Sequence, residues 1–322
     1  MRKRKLPIKQ WLLSAAALVM AFFTLVLLNE AMGGQLPLPG THDIERHVDK
    51  LYTMAGISTQ PTDIEGDVLV HYIDVGQGDC ELIQTPEQSI LIDAGDVGGG
   101  EAIADYLKAQ GIKRLDIVIA THPHADHIGG MTDIIKKFEI GKVIFSEIPE
   151  QLIPTTKVYE TLLDTISAKG LKLTKAKPDT QYDLGGGAVM TILAPLEQYK
   201  KDLNEYSVVC RVDFGETSFM FTGDASSNSE NDMVETYGRK LAADVLKLGH
   251  HGSDTSSQEK WLSAVAPQAA IASLGYDNTY GHPHASVLRR LKDRGIALYR
   301  TDKHGTIVAA TDGETLNFST EK

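Results

Sequence analysis

Hydrophobic and polar positions divide the chain into an apolar start, a polar stretch and a long patterned body. Residues 11–28 contain no charged side chain and are mostly Leu, Ala, Val, Phe and Met. Residues 34–66 are polar and irregular, with several Pro and Gly. From residue 67 onward, short apolar runs end at Gly, Asp or His and alternate with helical patterns, which indicates an α/β body.

Several apolar runs of the body are short enough for buried strands, and the stretches between some of them have helical spacing. We predict strands at 68–75, 80–84, 89–93, 115–120, 142–145, 188–193, 207–214, 218–222, 245–248, 269–273, 296–300, 306–310 and 315–318. We predict helices at 101–110, 133–138, 156–169 and 286–294, and a short helix at 44–54.

Four of the predicted strands end in, or are followed two residues later by, a residue that can bind a metal ion: Asp93, His122, Asp224 and His250. Seven of the eleven histidines fall in the clusters 122–127, 250–251 and 282–284, which scattered surface histidines would not do. Such residues delivered to one sheet edge are what a composite metal site requires. The sequence therefore predicts a metal centre.

The densest cluster is Thr121–Gly130, where three histidines and a carboxylate lie within six residues. Imidazole and carboxylate are preferred ligands of Zn, Mn and Fe. His122 and His124 are two residues apart, so their side chains point the same way in extended chain and can hold one ion. Asp126 and His127 follow the turn and can reach a second ion.

The charge distribution limits the class of partner. The net charge is −11, and it becomes −15 without the five basic residues and one acid of residues 1–33. An acidic body argues against broad nonspecific binding to nucleic acid. It does not exclude a phosphate substrate, because bound metal ions invert the local charge.

The basic flank and apolar run of residues 1–33 fit a signal peptide or an N-terminal membrane anchor, with an uncleaved anchor slightly favoured. The basic flank should stay in the cytoplasm and the body should lie outside it. We predict that residues 34–66 are a spacer and that 67–322 form the functional domain. Cys80 and Cys210 lie in predicted strands, and the sequence leaves open whether they pair.

Six motifs resemble the metallo-β-lactamase superfamily, and within it the hydrolase domain of the ComEC-type competence proteins. They are Asp74–Asp79, Leu91–Gly95, Thr121–Gly130, Phe221–Asp224, Leu248–Ser253 and Tyr280–His284. The resemblance spans about Asp67 to the C-terminus. It implies an αββα sandwich of two mixed sheets with outer helices and with two divalent metal ions, Zn or Mn, at one edge.

The resemblance also implies a ligand set. His122 and His124 would hold one ion, Asp126, His127 and His250 the second, and Asp224 would bridge them. His251 is the alternate to His250, because adjacent residues in extended chain point in opposite directions. Asp93 would orient a ligand histidine from behind, or else simply form a turn before Gly.

One departure from many superfamily members concerns the first ion. No histidine occurs from 128 to 249, and the corresponding segment reads Asn204-Glu205-Tyr206-Ser207. Water, Asn204 or Ser207 would then complete that site. Such a change weakens zinc selectivity and favours harder ions such as Mn²⁺.

The chemistry that this set favours is hydrolysis by a metal-bound hydroxide. Asp126 would orient the hydroxide, and His282 would contact the substrate oxyanion or leaving group, although packing at a helix start is an equal explanation for His282. Tyr280 and Ser253 are candidate substrate contacts. The chain has no G-x-S-x-G elbow, so nothing supports a serine hydrolase.

The predicted substrate is a phosphodiester, with nucleic acid outside the cytoplasm as the leading class. The alternatives are a lactone, a β-lactam or another carbonyl ester, or a membrane-tethered binding module without turnover. The oligomeric state is not indicated by the sequence.

Overall fold

A computed structural model describes residues 64–322, in which fifteen strands form two mixed sheets. The strands are β1 (Val68–Tyr72), β2 (Glu81–Gln84), β3 (Ser89–Ile92), β4 (Arg114–Ala120), β5 (Glu139–Phe145), β6 (Leu173–Lys175), β7 (Gln181–Gly185), β8 (Ala188–Ala194), β9 (Val209–Phe214), β10 (Thr217–Phe221), β11 (Val245–Lys247), β12 (Ala269–Ala272), β13 (Ala297–Arg300), β14 (Ile307–Thr311) and β15 (Leu316–Thr320). One sheet has the order β15-β14-β1-β2-β3-β4-β5-β6, and the other has the order β13-β12-β11-β10-β9-β8-β7.

Eight α-helices accompany these strands in the described part of the chain. They are α1 (Gly100–Ala109), α2 (Ala125–Ile128), α3 (Met131–Lys137), α4 (Lys157–Ala168), α5 (Ser227–Tyr237), α6 (Glu259–Val265), α7 (Ala285–Asp293) and α8 (Thr301–His304). Helix α1 buries Ile103, Ala104 and Leu107, the i, i+1 and i+4 positions of one apolar stripe. Amphipathic helices of this kind cover the outer faces of the sheets.

Three hydrophobic clusters show the layers of the fold. The central cluster joins residues of both sheets, such as Ile119 and Ile192, which places it between the sheets. A second cluster joins strand residues to α1, α3 and α4, and a third joins them to α5, α6 and α7. The predicted αββα sandwich of two mixed sheets is confirmed.

Parallel strands bring the candidate ligands to one edge. Strands β3, β4 and β5 run parallel in the first sheet, and β10, β11 and β12 run parallel in the second. The carboxyl ends of parallel strands meet at the same edge of a sheet, which is where α/β folds bind their ligands. The predicted ligands follow β3, β4, β10 and β11, and this arrangement explains their convergence.

The elements that were not predicted from the pattern include β6, β7, α5, α6 and α8. Strand β6 has only three residues, and α5 is mostly polar, so neither gives a strong apolar period. Cys80 and Cys210 are buried and free, so they do not pair. The predicted anchor or signal at 1–33 and the helix at 44–54 lie outside the described residues. Within residues 64–322, no helix has the length and apolar character needed to cross a bilayer.

Candidate metal centre

Asp93 fixes His127 from behind at the point where β3 and β4 end. Its Oδ1 accepts a hydrogen bond from the Thr121 backbone N–H at 2.8 Å, and its Oδ2 accepts one from the Thr121 hydroxyl at 2.6 Å. The Nδ1 of His127 lies 2.7 Å from the same Oδ2. A carboxylate on Nδ1 selects the tautomer that leaves Nε2 free for a metal ion. The structure thus places Asp93 in the orienting position that the sequence suggests for it.

Asp224 stands between two groups of imidazoles, one at each carboxylate oxygen. Its Oδ1 lies 3.2 Å from His127 Nε2 and 3.5 Å from His251 Nε2. Its Oδ2 lies 3.7 Å from the Nε2 atoms of both His122 and His250. This geometry suits a bridging ligand, the role that the sequence predicts for Asp224. We call the two groups the Oδ1 side and the Oδ2 side.

The loop that carries Asp224 approaches the first histidine cluster closely because of Gly223. Gly223 has φ +48, and a Cβ at this position would lie 2.8 Å from the Thr121 side chain. Only glycine avoids both the strain and the contact. The end of β10 therefore meets the end of β4, and the two sheets contribute to one site.

The structure favours His251, the alternate candidate, over His250 as the residue that would bind the second ion. His251 Nε2 lies 3.3 Å from Asp126 Oδ2 and shares the Oδ1 side with His127, whereas His250 faces Oδ2. The prediction assumed extended backbone, but His250 and His251 have φ of +50 and +56 in a 3₁₀ turn. In that left-handed turn His251 is buried and His250 lies at the cleft surface.

Three buried atoms that can bind a metal ion lie close together and have no hydrogen-bond partner. They are His127 Nε2, His251 Nε2 and Asp224 Oδ1. Buried polar atoms rarely remain unpaired, so their convergence calls for a ligand. Separations of 3.2–3.5 Å between donors are what a shared ion with bonds of about 2.0–2.2 Å produces. His122, His127 and Asp224 form a second convergent set, and Asp126, His127 and His251 a third. The residues present therefore fit divalent ions.

The electrostatics of the cluster also favour cations. Burial lowers the pKa of His127, but the carboxylates of Asp224 and Asp93 outweigh burial and hold that pKa well above its usual value. Burial likewise lowers the pKa of His251, and Asp224 with Asp79 raises it to about 10. These carboxylates thus create a negative potential that positive charge at the imidazoles would balance.

The side chains that surround the imidazoles of the Oδ2 side carry less charge than those of the Oδ1 side. His122 Nε2 lies 2.9 Å from His124 Nδ1, which places these two rings together as predicted. Ser207 lies behind His122, with Oγ 3.4 Å from Nδ1, and its hydroxyl accepts a hydrogen bond from the Asp224 backbone N–H. Ser207 therefore suits an orienting role better than direct ligation. Asn204 Nδ2 is 3.4 Å from His250 Nδ1, so it is the better placed of the two at the cleft.

An open cleft of about 330 Å³ leads to these groups. It is lined by Gln77, His124, Ala125, Asp126, Asn204, Asp224, His250, His251, Tyr280 and His282. His122 and His127 lie buried beneath it. The predicted contacts Tyr280 and His282 are in the lining, where their rings stack at 5.6 Å. Ser253 is not in the lining, because its buried hydroxyl accepts a hydrogen bond from the Thr255 hydroxyl at 3.0 Å.

Three residues of the site were missed from the sequence. Gln77 lines the cleft, and its Oε1 accepts a hydrogen bond from the Gly275 N–H at 3.3 Å. Asp79 and Lys247 lie together beneath His251. Asp79 belongs to a turn quoted for the family resemblance, which was the available signal. Lys247, in an otherwise apolar strand, was a second signal, since lysine is rarely buried without a partner.

Comparison with known proteins now identifies the family. The model of the metallo-β-lactamase superfamily matches residues 73–276. The chain belongs to this superfamily. Competence protein ComA of Neisseria gonorrhoeae is 35% identical over 76% of this chain and 32% of its own length. ComE operon protein 3 of Bacillus subtilis is 31% identical over 76% of this chain and 33% of its own length.

The chain therefore spans about a third of the length of these relatives. Among solved structures, the metallo-β-lactamase fold protein YhfI from Bacillus subtilis aligns with a TM-score of 0.47 and 15% identity, over 72% of this chain and 95% of YhfI. The family is one of metal-dependent hydrolases that bind divalent ions, often two, and the predicted resemblance to ComEC-type hydrolase domains is confirmed.

Proposed function

We propose that this protein is a metal-dependent phosphodiesterase that acts outside the cytoplasm. The observation that carries the proposal is the placement of imidazole groups at both oxygens of Asp224, at the floor of an open cleft. Two divalent ions at these positions, Zn or Mn, would activate water and neutralise phosphate charge. The chain's own residues must then orient the water and the substrate.

Asp126 is placed to orient the attacking water. Its carboxylate lines the cleft, and its side chain is 27% exposed, whereas the other carboxylates around the imidazoles are buried. Burial raises the pKa of Asp126, but the positive imidazoles of His251 and His127 outweigh burial and hold that pKa well below its usual value. An ionised carboxylate at the cleft surface can accept a hydrogen bond from water and direct its lone pair at phosphorus.

His282 is placed to contact the substrate from another wall of the cleft. Asn278 clamps its backbone, accepting from the His282 N–H and donating to its carbonyl, both at 2.9 Å. Burial, together with His251 and His250, lowers the pKa of His282 to about 4. The ring is therefore neutral at pH 7 and can donate an N–H hydrogen bond to a phosphate oxygen or to the leaving group.

A compact phosphodiester fits the cleft better than a long nucleic acid whose phosphate backbone must be bound along its length. None of the ten lining residues is Lys or Arg, so binding of the phosphate charge would depend on the ions. The similarity to competence proteins favours nucleic acid as the source of that phosphodiester. A chain end or a single strand held mainly at the metal centre agrees with both observations.

The test is hydrolysis of bis-p-nitrophenyl phosphate by the purified full-length chain in mild detergent, with added Mn²⁺ or Zn²⁺. We expect metal-dependent cleavage that is lost in His124→Ala. His282→Gln should lower kcat by about 100-fold or more and leave metal binding unchanged. Bound ions with no cleavage of this ester, but cleavage of a lactone or β-lactam in parallel, would overturn the phosphodiesterase proposal.

Action outside the cytoplasm rests on the apolar run after the basic N-terminus. Protease added to intact cells should digest the 67–322 body if it lies outside the cytoplasmic membrane. Protection in intact cells and in cells with a permeabilised outer layer, followed by digestion after lysis, would contradict this location.

A further inference from the structure

A buried ion pair lies directly beneath the metal centre. Lys247 is completely buried in β11, and its Nζ lies 2.6 Å from Asp79 Oδ2, which is itself buried. The same ammonium donates a hydrogen bond to the Leu248 carbonyl at 2.8 Å. Lysine and aspartate are almost never fully buried unless paired, and an unpaired charge here would be costly.

The other oxygen of Asp79 faces His251. Oδ1 lies 3.2 Å from His251 Nδ1, and the Ser273 carbonyl oxygen lies 2.9 Å from the same nitrogen. Both neighbours of Nδ1 are acceptors, so Nδ1 carries a hydrogen. The other ring nitrogen, Nε2, faces Asp126 and Asp224 and is the atom that a metal ion would bind in place of a proton.

The turn before Asp79 is built for this contact. Gly78 has φ +132, and a Cβ on it would lie 2.2 Å from the Asp126 carbonyl oxygen, which only glycine avoids. The Asp79 N–H lies 3.2 Å from that same oxygen and donates to it. The turn thus locks Asp79 to the backbone of Asp126, whose side chain contacts His251 from the other side.

We propose that Asp79 and Lys247 form a positioning unit for His251. Asp79, beside the Ser273 carbonyl that accepts the Nδ1–H, attracts that N–H and so directs Nε2 to the Oδ1 side of Asp224. Lys247 keeps the Asp79 carboxylate in place from below. This inference rests on the metal centre of the proposed function, because it assigns both residues a role in ion affinity. The unit corresponds to Asp93 and Thr121 behind His127, with a lysine in place of the hydroxyl.

The test distinguishes a role of Asp79 in positioning His251 from a purely structural ion pair between Asp79 and Lys247. Metal-free full-length chain is titrated with Mn²⁺ and with Zn²⁺ by calorimetry, and Tm is measured without metal. The variants are Asp79→Asn, Lys247→Met and the double variant Asp79→Asn/Lys247→Met. Leu107→Ala is the stability control, because Leu107 lies on the buried face of α1 and does not line the cleft.

We expect both single variants to lower Tm, because each leaves one polar group buried without its partner. The double variant removes both charges and should recover Tm. It should nevertheless bind one of the two ions about 10- to 100-fold more weakly, since a neutral amide is a poorer acceptor for the His251 N–H. Leu107→Ala should lower Tm without changing either affinity.

A double variant that binds both ions as tightly as the wild type would overturn the positioning role and leave only a structural ion pair. An equal loss of affinity in Leu107→Ala would overturn it as well. Wild-type protein that binds two ions but cleaves no phosphodiester would defeat the proposed function, while the selective loss in the double variant would still support the role of Asp79.

Discussion

The two sides of Asp224 use the same kinds of ligand but are supported differently. On the Oδ1 side, His127 and His251 are buried, and a carboxylate lies behind each ring, Asp93 behind the first and Asp79 behind the second. On the Oδ2 side the supports of the rings are neutral: Ser207 lies behind His122, and Thr255 lies 3.0 Å from His250 Nδ1.

This difference has a consequence for metal binding. A carboxylate behind an imidazole raises its basicity and fixes its orientation, whereas a hydroxyl or amide does so more weakly. The Oδ1 side also includes Asp126, which adds negative charge at the ion. We therefore expect the Oδ1 side to bind a divalent ion more tightly than the Oδ2 side.

The largest effect should come from Asp224→Ala, because this carboxylate faces one side with each of its two oxygens. We expect the affinity for both ions to fall by more than about 100-fold and hydrolysis to be lost. Calorimetry and metal analysis of the purified protein measure this directly. Retention of one tightly bound ion would show that the two sides do not share Asp224.

The second-largest effect is on metal affinity when either of the adjacent histidines, His250 or His251, is replaced. His251→Gln should remove the tighter ion, because His251 Nε2 lies at the Oδ1 side, and His250→Gln should weaken only the other ion. The two variants serve as matched controls, since they change neighbouring residues in the same turn. The reverse pattern would restore the sequence-based assignment of His250 to the second ion.

A smaller effect is expected for Asp93→Asn, which keeps the shape of the side chain but removes the charge behind His127. The tighter ion should bind about 10- to 100-fold more weakly, and the weaker ion should be little affected. Titration with Mn²⁺ measures both. A loss confined to the weaker ion would contradict the assignment of Asp93 to the Oδ1 side.

The smallest effect is expected for Ser207→Ala. Its hydroxyl lies 3.4 Å from His122 Nδ1 and accepts from the Asp224 N–H, so it supports the Oδ2 side without charge. The weaker ion should lose less than about tenfold in affinity, consistent with one neutral hydrogen bond of about 1 kcal/mol. A loss as large as that of Asp93→Asn would show that hydroxyl and carboxylate supports are equivalent here.

The first histidine cluster could be singled out from the sequence, because its candidate ligands are close together along the chain and follow a strongly apolar strand. The sandwich was predicted from the family resemblance, because apolar runs such as β4 indicate only an α/β body. The order of His250 and His251 could not be predicted, because it depends on two consecutive residues in left-handed backbone. The contact of Asp79 with Lys247 joins residues 168 positions apart and belongs to the tertiary structure alone.

The most direct test is the titration of metal-free full-length wild type and His251→Gln with Mn²⁺ in one series. We expect two binding events of unequal affinity in the wild type, and loss of the tighter event in His251→Gln. Two equal events in the wild type, or a tighter event that survives in His251→Gln, would contradict the inequality between the two sides of Asp224.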